Sequence, residues 1–147
     1  MNINKFTTKS METIQKCEKL AYEYGNQEIT QEHFLYSILT IDDSLIFKVL
    51  DKMGVNEEAF LSQVQQMLGK CPKVSGGQVY ISNDLNKVLI SAEDEMKAMG
   101  DEYVSVEHLF LSLLKHPSKS VKELLRGYGI TRERFLTALQ EVRGNQK

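Results

Sequence analysis

Residues 30–35 read TQEHFL and residues 105–110 read SVEHLF, so one short motif occurs twice in this chain. The glutamates of the two copies, Glu32 and Glu107, stand 75 positions apart (107 minus 32). A self-similarity at a fixed spacing is the signature of a repeated structural unit. The motif therefore predicts that the chain contains an internal duplication.

The same offset aligns the whole of residues 6–69 with residues 81–144 without a gap, and about 13 of these pairs are identical. Six of the nine glycines fall into matched pairs, which are Gly25 with Gly100, Gly54 with Gly129, and Gly69 with Gly144. A gapless register over an entire half indicates that the two halves share one fold.

Each half is predicted to form four short helices, because its apolar residues recur at spacings of three and four. In the first half the stripes are Met11, Ile14, Cys17, Ala21 and Tyr24; Phe34, Leu35, Ile38 and Leu39; Ile46, Val49, Leu50 and Met53; and Phe60, Leu61, Val64 and Met67. The predicted N-caps include Thr7, Thr30, Ser82 and Ser105, and the predicted helix ends include Gly25 and Gly54. The expected fold is all-α, with eight helices in two tandem four-helix repeats around a pseudo-twofold axis.

Residues 1–147 are expected to form one domain, since halves of about 65 residues are marginal alone. Repeat one spans residues 6–69, and repeat two spans residues 81–144. The linker between them, residues 70–80, is dense in turn-forming residues. The stretch Gln78–Ile81, which runs from the end of the linker into repeat two, is the only one rich in β-forming residues and is expected to run extended.

Composition limits the environment and the partners of the chain. It has 147 residues, 41% of them hydrophobic and 26% charged, and a net charge of −2. This balance is typical of a globular protein and disfavours nucleic-acid binding, which usually needs a basic excess. The sequence contains neither a membrane-spanning apolar run nor the apolar core of a signal peptide. Two cysteines suit a reducing compartment, so a cytoplasmic location is expected.

No catalytic signature occurs in the sequence. It lacks the G-x-x-x-x-G-K-[ST] loop of nucleotide-binding enzymes and the G-x-S-x-G elbow of serine hydrolases. Cys17 lies on an apolar helical stripe and is interpreted as a core residue, whereas Cys71 is expected to be exposed in the linker. We therefore expect no cofactor, no metal and no catalytic residue in this chain.

The repeated Glu-His pairs have a structural interpretation. Adjacent helical residues point about 100° apart, so neither pair converges easily on a metal ion. After the N-caps Thr30 and Ser105, the glutamates fall in the first helical turn, where a carboxylate is favourable, and His33 and His108 take the third position. A second possibility is that exposed Glu32 and Glu107 accept a guanidinium, beside helix starts at Thr7 and Ser82 that bind a peptide segment.

These motifs resemble a known family. The opening Lys5-Phe6-Thr7-Thr8-Lys9-Ser10 and both Glu-His motifs are similar to the Clp amino-terminal domain of AAA+ unfoldases. Residues 76–82, GGQVYIS, and residues 101–108, DEYVSVEH, look like the ClpB branch, the protein disaggregases, more than the protease-linked ClpC branch. The resemblance extends from Phe6 to about Gly144.

The resemblance implies a mobile amino-terminal domain that engages unfolded or aggregated protein for a heat-shock chaperone. The whole chaperone would be a homohexamer that hydrolyses ATP with Mg²⁺ in modules beyond this chain, and co-chaperones or adaptors are further partners. The domain itself would be monomeric, with no membrane partner. Its end at residues 144–147 is expected to lie where a flexible linker begins.

Site residues follow from the resemblance only where motifs match. In ClpB relatives a polar surface contributes to substrate engagement, and here it corresponds to Thr7, Asp101 and Glu107. In ClpC relatives the motif glutamates recognise phosphoarginine, which points to Glu32 and Glu107 as the alternative. A small enzyme with one of these glutamates as general base, or a DNA-binding helical protein, has no further support in the sequence.

Overall fold

The computed structural model describes residues 3–74 and 76–144. Ser75 of the predicted linker and the terminal residues 1–2 and 145–147 lie outside the described residues. The described part contains eight α-helices: α1 Thr8–Tyr24, α2 Gln31–Thr40, α3 Leu45–Lys52, α4 Glu57–Gly69, α5 Asn83–Ala98, α6 Val106–Lys115, α7 Lys119–Gly127 and α8 Arg132–Gly144. A 3₁₀ turn at Ile3–Lys5 precedes them. This confirms the predicted all-α fold of two four-helix repeats; the repeat and linker limits themselves stay predictions.

Predicted N-caps and helix ends are present in the structure. The side chain of Thr7 accepts the N–H of Ser10 at the start of α1, and the side chain of Ser82 accepts the N–H of Leu85 at the start of α5. Gly25 follows α1 in the left-handed conformation, with φ of 70°. None of the helices in residues 3–74 and 76–144 has the length and apolarity to cross a membrane.

The two halves are joined by reciprocal pairs of extended segments. Strand β1, Glu28–Ile29, pairs in parallel with strand β2, Tyr80–Ile81, and places Ile29 opposite Ile81. An isolated parallel bridge joins Phe6 to Val104, the residues that the 75-residue offset makes equivalent to Ile81 and Ile29. The segment that leads into each half therefore pairs with the other half. The extended run before Ser82 was predicted; its partner β1 was not.

Hydrogen bonds on the two pairs have the same symmetry. The N–H of Ser82 donates to the carbonyl of Ile29 at 2.9 Å, and the N–H of Thr7 donates to the carbonyl of Val104 at 3.0 Å. Since Thr7 and Ser82 are also the N-caps of α1 and α5, each cross-half bond fixes the position of a helix start.

Side chains of α4 and α8 make further contacts between the halves. Phe60 of α4 packs edge-on against Tyr128 at the end of α7, with ring centroids 5.1 Å apart. On the equivalent side, the Nη2 group of Arg134 in α8 donates to the carbonyl of Met53 at the end of α3, at 3.0 Å. Buried apolar residues of both halves form one continuous cluster. The domain therefore has a single core.

The two cysteines differ in burial. Cys17 is buried in the core, as predicted, and burial raises the pKa of its thiol to about 12. Cys71 is half-buried, so the expectation of an exposed linker thiol was wrong. Its Sγ atom lies 3.6 Å from the carbonyl of Met67 and 4.0 Å from the hydroxyl of Thr30, because Cys71 directly follows the last turn of α4 and lies beside the start of α2.

Both Gly54→Val and Gly129→Val are expected to lower the free energy of unfolding by more than about 1 kcal/mol, because a β-branched residue disfavours the left-handed conformation. Gly54 has φ of 81° and Gly129 has φ of 66°. The matched control is Gly69→Val inside α4, where φ is negative and a Cβ atom meets open space. Urea denaturation would contradict the assignment if the two variants unfold at the same midpoint as the control.

Candidate functional site

The motif histidines cap α2 and α6. The Nδ1 atom of His33 accepts the backbone N–H of Thr30 at 2.9 Å, and the Nδ1 atom of His108 accepts the backbone N–H of Ser105 at 2.9 Å. Each imidazole takes the role that Glu or Gln has in a capping box. Both rings are fully buried, which confirms that they pack at the helix starts.

Because Nδ1 accepts in both rings, the proton of the neutral imidazole lies on Nε2. In the first half this N–H donates to the side-chain oxygen of Asn26 at 2.8 Å, and in the second half to the carboxylate of Asp101 at 2.7 Å. Asn26 and Asp101 are equivalent under the 75-residue offset. The two halves therefore cap their helices in the same way, but the residue that accepts from Nε2 is a neutral amide in the first half and a carboxylate in the second.

Asp101 belongs to a set of side chains that we call the second-half polar cluster: Thr7, Asp101, Glu107, His108 and Arg143. The Nη2 group of Arg143 lies 3.0 Å from Asp101 Oδ2, and its Nε group lies 3.5 Å from Glu107 Oε2. Burial raises the pKa of Asp101, but hydrogen bonds from His108 and Arg143 and the charge of Arg143 lower it by more, so the net pKa is below its usual value.

Burial corrects one expectation about this cluster. Glu107 was expected to be an exposed carboxylate, but its side chain is only 8% exposed and lies against Arg143. The α8 helix supplies that arginine from its last turn, and a charge at this depth is tolerated because it is paired. Arg143 thus holds two of the predicted site residues, Asp101 and Glu107, in one arrangement.

Thr7 joins the cluster through the backbone. The backbone N–H of Thr7 donates to the carbonyl of Val104 at 3.0 Å, and the hydroxyl of Ser10 donates to the same carbonyl at 2.8 Å. These two bonds fix the start of α1 against the segment that runs from Asp101 to Glu107. The structure therefore places Thr7 beside the segment that carries Asp101 and Glu107.

Glu32 lies instead in a cleft of about 400 Å³ between the halves. We call it the first-half acidic cleft; it is lined by Glu28, Thr30, Glu32, Ser82 and Asp84, among others. Burial raises the pKa of Glu32, and the carboxylates of Asp84 and Glu28 add to the effect. Within residues 3–74 and 76–144 no Lys or Arg forms an ion pair with Glu32. The residue equivalent to Arg143 is Leu68, which is buried in the core.

Comparison with known proteins identifies this architecture. Residues 5–128 match the Clp repeat (R) N-terminal domain family. The chain belongs to this family. The Clp N-domain is a non-catalytic domain of AAA+ chaperones. The chain is 38% identical to the chaperone protein ClpB of Nitratidesulfovibrio vulgaris and 35% identical to that of Clostridium tetani. Each alignment covers 100% of this chain but 18% of the relative.

A solved structure has the same fold. The Hsp104 N-terminal domain from Candida albicans superimposes with a TM-score of 0.82 at 23% identity, and the match covers 97% of this chain and 93% of that one. This confirms the double Clp N-domain architecture of eight helices.

Three polar residues that position parts of this Clp N-domain were not among the predicted site residues. Arg143 sits in a helical pattern among other charged residues, and Asn26 follows a helix-ending glycine. Gln31 is 1% exposed; its amide group donates to the carbonyl of His116 at 3.0 Å and its oxygen accepts the N–H of Ser118 at 2.8 Å. Only the Asn26 and Asp101 pair could have been found, since the offset places each seven residues before a motif histidine.

The Clp N-domain also contains an apolar cavity of about 210 Å³ where β1 and β2 cross the gap between α1, α2 and α5. Ile14, Ile29, Phe34, Val79 and Leu85 are among the residues that line it. Tyr80 at its rim is half exposed. In the sequence these lining residues look the same as core residues, because both follow the same apolar periodicity.

Folding stability is expected to fall as the pH is lowered from about 6.5 to about 4. Burial lowers the pKa of His33 from 6.5 to about 4. In this window the unfolded chain binds a proton that the folded chain excludes, so the stability present at neutral pH decreases by up to roughly 3 kcal/mol. Thermal melts between these pH values measure the slope.

His33→Gln keeps a capping side chain and removes the titrating group, so its stability should depend less on pH. His108→Gln is the matched control, since it changes the same helix position and retains His33. Equal slopes for the wild type and His33→Gln would refute the assignment.

Proposed function

We propose that this chain is the substrate-engaging amino-terminal domain of a ClpB-like protein disaggregase, and that it binds unfolded or aggregated polypeptide. The second-half polar cluster carries the proposal, with Glu32 as a further contact in the first-half acidic cleft. The names of the relatives support a chaperone domain. A neighbouring fold supports peptide binding: a ClpV N-domain solved in complex with a VipB peptide has a TM-score of 0.72 at 22% identity, over 94% of this chain and 89% of that one.

The geometry of the second-half polar cluster suits recognition of the backbone N–H groups of a bound polypeptide. Arg143 and His108 both contact Oδ2 of Asp101, and Arg143 contacts Oε2 of Glu107. From the described residues, the second oxygen of each carboxylate receives no hydrogen bond. A carboxylate can accept several hydrogen bonds, and the Asp101 side chain is 28% exposed, so its second oxygen is available to an N–H group of a bound extended chain. The side chains are already fixed by Arg143, which lowers the entropy lost on binding.

The apolar cavity offers a binding place for an apolar side chain of an unfolded protein. Unfolded proteins expose apolar side chains, and about 210 Å³ is enough for one large side chain. Tyr80 at the rim offers an exposed ring for contact. Capture by a few polar contacts and one apolar side chain gives weak binding, with a Kd on the order of 1 mM, or about −4 kcal/mol.

The wider context is proposed from the relatives, since the chain spans about a fifth of their length. We infer that the whole protein is a cytoplasmic, stress-responsive homohexamer that uses ATP and Mg²⁺ in other modules. This domain would then deliver polypeptide to the ring, alone or with a co-chaperone or adaptor, and would itself be monomeric and need no cofactor. Binding to membranes or nucleic acid is not part of the proposal.

Docking of phosphoarginine-tagged protein is a second candidate, supported by the first-half acidic cleft. Three carboxylates, those of Glu28, Glu32 and Asp84, line a cleft open to a guanidinium group. Glu107, the other glutamate of this alternative, is already paired with Arg143. Phosphoarginine would therefore be expected to perturb Glu32 more than Glu107.

The proposal predicts that an unfolded protein, reduced and carboxymethylated, shifts the amide resonances of Thr7, Asp101 and Glu107. Asp101→Asn and Glu107→Gln should each weaken binding about threefold or more, because a neutral amide is a weaker acceptor than a carboxylate. The measurement is a titration followed by heteronuclear NMR.

Glu58→Gln is the matched control, since Glu58 is an exposed carboxylate at the same helical position in α4 as Glu107 in α6. The proposal fails if the unfolded protein causes no shifts, or if the control weakens binding as much as Glu107→Gln. Shifts caused by free phosphoarginine alone would instead support the second candidate.

A further inference from the structure

Positive charge is concentrated in one part of the chain. Residues 115–134 contain six Lys and Arg residues and two Glu residues, a net charge of +4 in a chain whose total is −2. The remainder of the chain therefore carries −6. An asymmetry of this size within one domain creates a local positive potential that attracts anionic partners.

These charges surround a groove of about 570 Å³. We define the basic groove by Lys115, His116, Lys122, Arg126, Thr131 and Arg132, which line it. It lies where the end of α6, the exposed face of α7 and the start of α8 meet. Leu125 and Pro117 contribute apolar surface to its floor and rim.

Three of the cations are free to bind an anion. Lys115, Lys122 and Arg126 are exposed, and none of them forms an ion pair with the described residues. Arg132 is instead held by the carboxylate of the buried Glu95. The start of α8 adds a favourable helix dipole, since Thr131 and Arg132 form that end.

The lowered pKa of His116 is consistent with positive charges around it. Burial lowers its pKa first, and the neighbouring charges of Lys87 and Lys115 lower it further. Its backbone carbonyl accepts the amide group of Gln31, which fixes the turn between α6 and α7. The groove is therefore a preformed feature whose wall is held by the first half of the chain.

We propose that the basic groove binds an acidic segment of a polypeptide. Three free cations and an apolar floor fit a few Asp or Glu side chains of an extended peptide. A nucleic acid is disfavoured, because tight phosphate binding uses more cations than the three that are free in this groove.

This site is distinct from the one proposed above. Glu107 and Lys115 lie at opposite ends of α6, about 12 Å apart along its axis. Arg132 and Arg143 lie likewise at opposite ends of α8. The basic groove therefore binds an acidic segment that is separate from the segment held by the second-half polar cluster. The two sites act independently.

Fluorescence anisotropy with labelled hexaglutamate tests the proposal on the whole chain. Hexaglutamate should bind at an ionic strength of about 0.03 M and at least about tenfold more weakly at about 0.3 M, because salt screens exposed charges. The double variant Lys122→Gln, Arg126→Gln should raise the Kd about fivefold or more. Its melting temperature should match the wild type, since both side chains are exposed.

The control double variant, Lys19→Gln with Lys70→Gln, removes the same charge from α1 and the end of α4 and should leave the Kd within about twofold. Amide shifts confined to residues 114–132 would support the site. The proposal is overturned if hexaglutamate does not bind, if hexaglutamine or oligothymidylate binds as tightly, or if the control weakens binding equally. Because these variants leave Asp101 and Glu107 intact, failure here does not affect the titration with unfolded protein.

Discussion

The structure depends on the exchange of extended segments between its halves. Phe6 pairs with Val104, and Ile81 pairs with Ile29, so the segment that enters each half is held by the other half. Because each segment ends in an N-cap, the exchange also fixes where α1 and α5 begin. Two four-helix units of marginal size thereby become one domain with one core, which neither half could complete alone.

The same exchange creates two polar ends that are related but not equivalent. At each end a buried motif histidine caps a helix and contacts a residue seven positions before it. In the second half that residue is Asp101, and Arg143 gathers it with Glu107. In the first half it is Asn26, no arginine is present at the equivalent position, and Glu32 faces an open acidic cleft. A duplicated scaffold thus supports different chemistry at its two ends, because the halves differ in charge at these positions and keep the same histidine caps.

Much of the fold could be predicted because the duplication provides each pattern twice. The helical stripes, the caps at Thr7 and Ser82, and the packing of the histidines at the helix starts all follow from local spacing and are present in the structure. Strand β1 could not be predicted, since two residues carry no periodicity and their pairing depends on a distant segment. Arg143 could not be assigned for a related reason: its role arises from where the last turn of α8 lies, which local sequence does not determine.

Native-state hydrogen exchange tests most directly whether the exchanged segments make the two halves one unit. The amides of Thr7 and Ser82 donate the cross-half hydrogen bonds, so they report on the exchange itself. The account predicts that they open with the same free energy and the same denaturant dependence as amides in α2 and α6, through global unfolding of the domain. If the amides of α1–α4 exchanged through a separate opening that left α5–α8 protected, the halves would be independent units and the account would be wrong.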